Sequence, residues 1–215
     1  MTRDNQNLTK GPLARKILFF SAPLIVSNLL QVLFNVADIA VVGRFAGASA
    51  LGSVGSTTIL VTMFTSFLIG VSGGINVLTA LYLGSGDRKG VRETVHSALL
   101  FSVLTGLVLL LIGAVFSMGI LQLLNTKPEL IDAAVLYIRI YFLGMPALAV
   151  YNFGNAVFSA AGDTKRPLKY LSMAGVVNII LNLFFVIVCH MGVAGVAVSS
   201  IISQYMSAFL VAAAL

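Results

Sequence analysis

The chain has 215 residues, of which 59% are hydrophobic and 9% charged, with a mean hydropathy of +1.03. Soluble domains carry about 25% charged residues, so this composition excludes an ordinary water-soluble fold and marks a membrane protein. A formal charge of +6 raises nucleic acid as a partner, and the single cysteine, Cys189, excludes an intrachain disulfide and a zinc cluster.

Residues 1–16 form a polar, basic amino-terminal segment. Lys16 and Arg44 bracket 27 residues with Asp38 as the only charge, which predicts a first helix over 17–43. This apolar run outlasts the core of about 7–15 residues of a secretory peptide, so the helix is expected to stay in the chain. The 42 uncharged residues between Arg44 and Asp87 hold a second span, 50–83, and the 33 between Glu93 and Lys127 hold a third, 93–122. A fourth, 132–160, fills the stretch from Asp132 to Asp163, which only Arg139 interrupts. After Lys169 come 46 residues without a formal charge. At about 20 residues per crossing that is too many for one helix. It predicts spans over 168–189 and 193–215 with a break near 190–195. Runs such as 107–112, apolar on every side, exclude the alternating strands of an outer-membrane barrel. The predicted architecture is an all-α polytopic membrane protein of six transmembrane helices.

Lys and Arg fix the expected orientation. Arg3, Lys10, Arg15 and Lys16, then Arg88, Lys89 and Arg92, then Lys165, Arg166 and Lys169 fall on one side; Arg44 and Lys127 fall on the other. This asymmetry puts the amino terminus in the cytoplasm of an inner or plasma membrane. The basic charge is therefore read as topology, with no nucleic-acid partner. Glycosylation is not expected at the sequon Asn7-Leu8-Thr9, which lies on the cytoplasmic side.

Polar groups are costly in a bilayer, so their arrangement carries the functional signal. In the first helix Ser21, Asn28, Gln31, Asn35 and Asp38 recur at helical spacing and predict one polar face. Pro23 removes a backbone donor and predicts a bend. The fourth span carries Tyr137, Tyr141, Gly144, Asn152, Asn155 and Ser159, the fifth Gly175, Asn178 and Asn182, and the sixth Ser199, Ser200, Ser203 and Gln204. Amide and hydroxyl oxygens beside one carboxylate suit a hard monovalent cation or a proton relay. Hydrogen bonding between packed helices is the plainer alternative. Arg139 is expected to snorkel to the outer interface, Gly70 and Gly74 to mark close helix packing, and His96 and His190 to be interfacial.

The run Val36-Ala37-Asp38-Ile39-Ala40-Val41-Val42-Gly43, the loop Ala161-Gly162-Asp163-Thr164-Lys165-Arg166-Pro167, Gly84-Ser85-Gly86-Asp87, and Gly192-Val193-Ala194-Gly195-Val196-Ala197 carry a resemblance over essentially the whole chain. It resembles the multidrug and toxic compound extrusion (MATE) family. A Gly-Asp-x-Lys unit occurs twice, at 86–89 and 162–165, and hints at a duplication.

The resemblance implies a secondary transporter of two six-helix lobes, exchanging organic cations or drugs for protons or sodium ions by alternating access. This chain looks like the amino-terminal lobe, with a carboxyl-terminal six-helix lobe and membrane lipid as its partners. Asp38, Asn178, Asn182 and Ser200 match a cation- or proton-binding set. Gln31 and Asn35 extend the polar stripe toward it; Tyr137, Asn152 and Asn155 match cavity residues; Pro23 looks like the bend-forming proline. Asn182 stands where some members have an aspartate, which favours protons over sodium. A flippase for a lipid-linked precursor, and an oligomeric pore or scaffold, are the alternatives. A basic cavity would favour the flippase, whereas the charges here, one acid and Arg139 near the outer interface, suit a cationic substrate. No enzyme and no cofactor are expected, since one buried acid without a base, metal set or nucleophile supports no reaction.

Overall fold

In a computed structural model, residues 13–215 are described, with side chains from Ile17 onward. The segment 1–12, with Arg3, Lys10 and the Asn7-Leu8-Thr9 sequon, and the side chains of Arg15 and Lys16 lie outside the described residues.

Seven α-helices follow in order: α1 Leu13–Phe45, α2 Ala48–Ser85, α3 Arg88–Leu123, α4 Pro128–Phe142, α5 Met145–Ala160, α6 Lys165–Leu183 and α7 Gly192–Ala212. Five are long and apolar enough to cross a bilayer; α4 and α5, bent by 50° at their junction, make a sixth span when counted together. The uninterrupted fourth helix expected over 132–160 is thus corrected to two. Gly144 is a poor helix former, and Pro146 offers no N–H to the carbonyl of Phe142 and crowds it. The fifth predicted helix also changes character. Beyond Leu183 it continues as a π-helix, Phe184–Val188, in which Cys189 N donates to the carbonyl of Phe184 at 3.1 Å. The turn that follows passes through left-handed backbone at His190 and Gly192, both at φ 54°.

Both Gly-Asp-x-Lys units fold alike. Gly86, at φ 75°, ends α2, and Asp87 Oδ1 accepts from Gly90 N at 3.0 Å to cap α3. Gly162, at φ 83°, follows α5, and Asp163 Oδ1 accepts from Arg166 N at 3.2 Å at the start of α6. In each the glycine supplies the left-handed turn and the carboxylate holds an orphan helix-end donor.

The buried centre is α5. Its Met145, Leu148, Tyr151, Phe153 and Phe158 are all buried, and it packs on α2, α3 and α7. Phe64 of α2 and Phe142 of α4 meet edge to face at 4.9 Å. Between membrane helices such contacts act through dispersion and fit, because lipid is as apolar as leucine. In contrast, α1 lies at the periphery with only 6% of its apolar window buried, and it leans mainly on α6 and α2. It reaches α6 closely because Gly175 has no side chain: a Cβ there would overlap the ring of Phe34. Gly70 and Gly74 of α2 contradict their expectation, since nothing lies within 4 Å of a Cβ at either. They stand on an exposed face and mark no close packing among the described residues. Arg139 is exposed and its Nε donates to Ser117 Oγ at 3.3 Å. His96 and His190 are also exposed.

Candidate functional site

Asp38 is 3% exposed, and both of its oxygens accept hydrogen bonds. Asn182 Nδ2 donates to Oδ1 at 2.6 Å, and Ser200 Oγ donates to Oδ2 at 2.8 Å. The donors belong to a wider set. Asn182 Nδ2 also reaches Asn178 Oδ1 at 3.1 Å, one helical turn away, and Asn178 Nδ2 reaches Ser200 Oγ at 3.4 Å. Three helices, α1, α6 and α7, therefore meet through four side chains remote in sequence. The spacing of four between Asn178 and Asn182 puts both amides on the inner face of α6.

Beside this set lies a cavity with about 70 Å³ of room for water centres. At roughly 10–15 Å³ for each water it has room for a few waters, and it is far below the 300–1,000 Å³ of drug-sized pockets. Gln31, Asn35, Thr65, Tyr141, Tyr151, Ser203, Gln204 and Ser207 join Asp38, Asn178 and Ser200 in its lining. Both polar atoms of the Gln31 amide, Gln204 Oε1 and Asn182 Oδ1 are buried without a hydrogen-bond partner among the described residues. Unpaired amides of Gln31 and Gln204 on the wall of a cavity with room for a few waters are the pattern of a hydrated chamber, since buried polar groups otherwise cost about 1–3 kcal/mol.

The stripe on α1 turns slightly from the one expected. Ser27, not Asn28, is buried, with its Oγ donating to the carbonyl of Pro23 at 2.9 Å, while Asn28 is exposed. Eleven residues separate Ser27 from Asp38, about three whole turns, whereas Asn28 sits roughly 80° off that line. Pro23 itself lies inside an unbroken α1. One turn earlier, the carbonyl of Phe20 accepts from Thr164 Oγ1 at 3.3 Å.

Three expected cavity residues are not in the lining. Tyr137 is 1% exposed and its ring stacks on Tyr141 with centroids 5.9 Å apart. Asn152 is turned back along its own helix, Nδ2 donating to the carbonyl of Leu148 at 2.8 Å. Asn155 is half-buried on α5, where its Oδ1 has no partner among the described residues. Conversely, the sequence reading passed over Thr65, Tyr151 and Ser207. Thr65 lies among other hydroxyl residues of α2, so spacing gave it no distinction. Ser207, by contrast, continues the line of Ser200, Ser203 and Gln204 and was open to recognition.

Chemically, the site offers one carboxylate, two amides and a hydroxyl, three of these four side chains also lining the polar cavity. Those donor types can exchange a proton or hold a hard monovalent cation, with the carboxylate as the only formal charge.

The profile of the MatE family matches residues 23–184, three-quarters of the chain. Over 200 residues the chain is 34% identical to the "Probable multidrug resistance protein YpnP" of Bacillus subtilis, covering 92% of this chain and 44% of that protein. It is 32% identical over 176 residues to the same organism's "Probable multidrug resistance protein YoeA", covering 82% of this chain and 38% of that one. Its fold superimposes on a crystal structure of MATE in the bent conformation with a TM-score of 0.90 and 22% identity, over 99% of this chain and 47% of that one. The chain thus spans less than half the length of the relatives it matches. On the strength of the family profile, the chain belongs to the MatE, or multidrug and toxic compound extrusion, family of membrane transporters.

Proposed function

We propose that this chain works as the amino-terminal lobe of a secondary active exporter that exchanges organic cations or drugs for protons by alternating access. The observation that carries the reading is Asp38, a solitary carboxylate with both oxygens held by Asn182 and Ser200 beside a water-sized polar cavity. A cationic substrate and a proton would compete there for one charge. The multidrug-resistance names of the relatives agree with such a substrate class. A second six-helix lobe completes the transporter in this reading, because alternating access needs one lobe to rock against another around a central site. The amino terminus faces the cytoplasm, as the Lys and Arg distribution implies.

Proton is preferred over sodium because Asn182 supplies an oxygen without a second charge. A proton bonds covalently to Asp38 and needs no completed oxygen shell, whereas sodium must be repaid for dehydration mainly by ligand charge. The cavity is too small for a drug in this conformation, so binding entails opening.

Calorimetry with tetraphenylphosphonium, run on the purified chain in two buffers of different ionisation enthalpy, tests the proposal. About one proton should leave for each cation bound, and none in Asp38→Asn. Equal affinity and equal proton release in the two proteins would refute it.

A further inference from the structure

The break between α4 and α5 is fastened from one side by two consecutive residues of α7. Tyr205 OH donates to the carbonyl of Leu143 at 3.1 Å. The side chain of Gln204 sits against Gly144, so closely that a Cβ on Gly144 would overlap Gln204 Oε1. Gly144 has φ −84° and ψ −9°, backbone that any residue adopts. The absent side chain at Gly144 thus gives the Gln204 amide its seat and is not needed by the turn, and a larger residue there would have to push that amide aside. Gln204 and Tyr205 lie about one helical turn beyond Ser200 on the same helix, and Ser200 Oγ holds Asp38 Oδ2. Gln204 also lines the cavity that Asp38 lines. One rigid turn of α7 thus joins the carboxylate to the 50° bend.

We propose that Gln204 and Tyr205 are positioning residues that set the α4–α5 bend according to the state of the Asp38–Ser200 hydrogen bond. With the bond made, α7 is drawn toward α1, and the pair clamps Leu143 and Gly144 in the bent arrangement. When Asp38 gives up Ser200 to another partner, α7 is released by that bond and the clamp moves with it. The consequence reaches beyond the site: α4 carries Tyr137 and Tyr141, and α5 is the buried centre of the lobe. A change of bend there alters the cavity wall at Tyr141 and the packing of α2 and α3 together. The inference rests on Asp38 being the exchange site, yet it is tested by a different quantity.

The solitary cysteine makes the measurement direct. In a Cys189→Ser background, spin labels at Glu129→Cys and Ala161→Cys occupy exposed positions near the far ends of α4 and α5. At 1.5 Å per residue the two arms are roughly 22 and 24 Å long, so full straightening would lengthen the label distance by about 4 Å. Pulsed electron spin resonance on the full chain in lipid nanodiscs should show a shift of about 2–4 Å when Ser200→Ala breaks the bond to Asp38. In a Tyr205→Phe, Gln204→Ala background, where the bend is already released, Ser200→Ala should change the distance further by under about 1 Å. Tyr205→Phe alone, which keeps the exposed ring, should reduce the shift in part and guards against a folding defect in the triple variant. A distance that ignores Ser200→Ala overturns the proposal, as does a shift that survives loss of both positioning residues. Proton release on cation binding reads the exchange reaction separately, so each idea can fail without the other.

Discussion

Asn182 gives its amide hydrogen to Asp38 at 2.6 Å while its own carbonyl oxygen, fully buried, accepts no hydrogen bond among the described residues. The amide thus donates toward the charge and leaves an acceptor open beside it. A proton on Asp38 needs only the carboxylate, but a bare cation needs acceptors, and Asn182 Oδ1 is one without a second charge behind it.

Asn182→Asp changes that balance. It removes the donor that holds Asp38 and puts a second carboxylate within hydrogen-bond reach, an arrangement that like charges oppose until a cation bridges them. Sodium affinity measured by calorimetry should rise at least about tenfold, or about 1.4 kcal/mol. If the unmodified chain already binds sodium tightly, the amides complete a sodium site and the preference for protons is wrong.

Ser200 can be weighed in the same way. Ser200→Ala leaves one oxygen of a buried carboxylate without its donor, at a cost of about 1–3 kcal/mol. Ser200→Thr keeps the hydroxyl and should behave nearly as the parent. Thermal unfolding midpoints of the purified variants, together with their proton release, check this. An unchanged midpoint in the alanine variant would mean that the 2.8 Å bond contributes nothing net.

Much of this was legible in the sequence, for physical reasons that differ from residue to residue. Asp38 stood out because an acid deep in an apolar run has no cheap explanation. Asn178, Asn182 and Ser200 stand out as polar groups, and the family resemblance joins them to Asp38 from 140 or more residues away. Ser27 and Asn28 show the limit of spacing: neighbours along the chain differ by 100° around the helix, and the sequence pattern favours the larger amide although the hydroxyl is the buried group. The break at Gly144 lay hidden inside a continuous apolar run whose hydropathy is the same for one helix or two. Gln204 was visible as a polar residue, but its seat against Gly144 depends on how α7 packs on the break. That is a tertiary fact with no local signature.

The two capping aspartates should affect stability and leave binding alone. Asp163→Ala loses the acceptor for Arg166 N and a partly exposed ion pair to Arg166 Nε at 2.9 Å. The cap is worth about 1 kcal/mol and the exposed pair well under that. Asp87→Ala should cost about as much through the start of α3, since Gly90 N then lacks its acceptor. Lower unfolding midpoints with unaltered cation binding are expected for both. A loss of binding would show that these loops act on the site and do more than begin helices.

The contact of α1 with α6 provides the most direct test of how the site is assembled. Asp38 belongs to the one helix that the lobe buries least, and its bond to Asn182 requires α1 to lie close against α6. Gly175 permits that approach by leaving room for the ring of Phe34, one turn before Asp38. A methyl group at 175 has to displace either the ring or the helix. Gly175→Ala should therefore cost about 1–3 kcal/mol, as overpacked sites do. It should also weaken proton release on cation binding, because α1 carries Asp38 away with it. Phe34→Leu removes the ring that the methyl meets. In the double variant Gly175→Ala with Phe34→Leu, unfolding midpoint and proton release should both recover, giving a coupling energy beyond the roughly 0.3–0.5 kcal/mol within which distant sites add. If Gly175→Ala is harmless, or if the two substitutions simply add, then α1 is held against α6 by something other than this contact, and the Asp38–Asn182 bond does not depend on it.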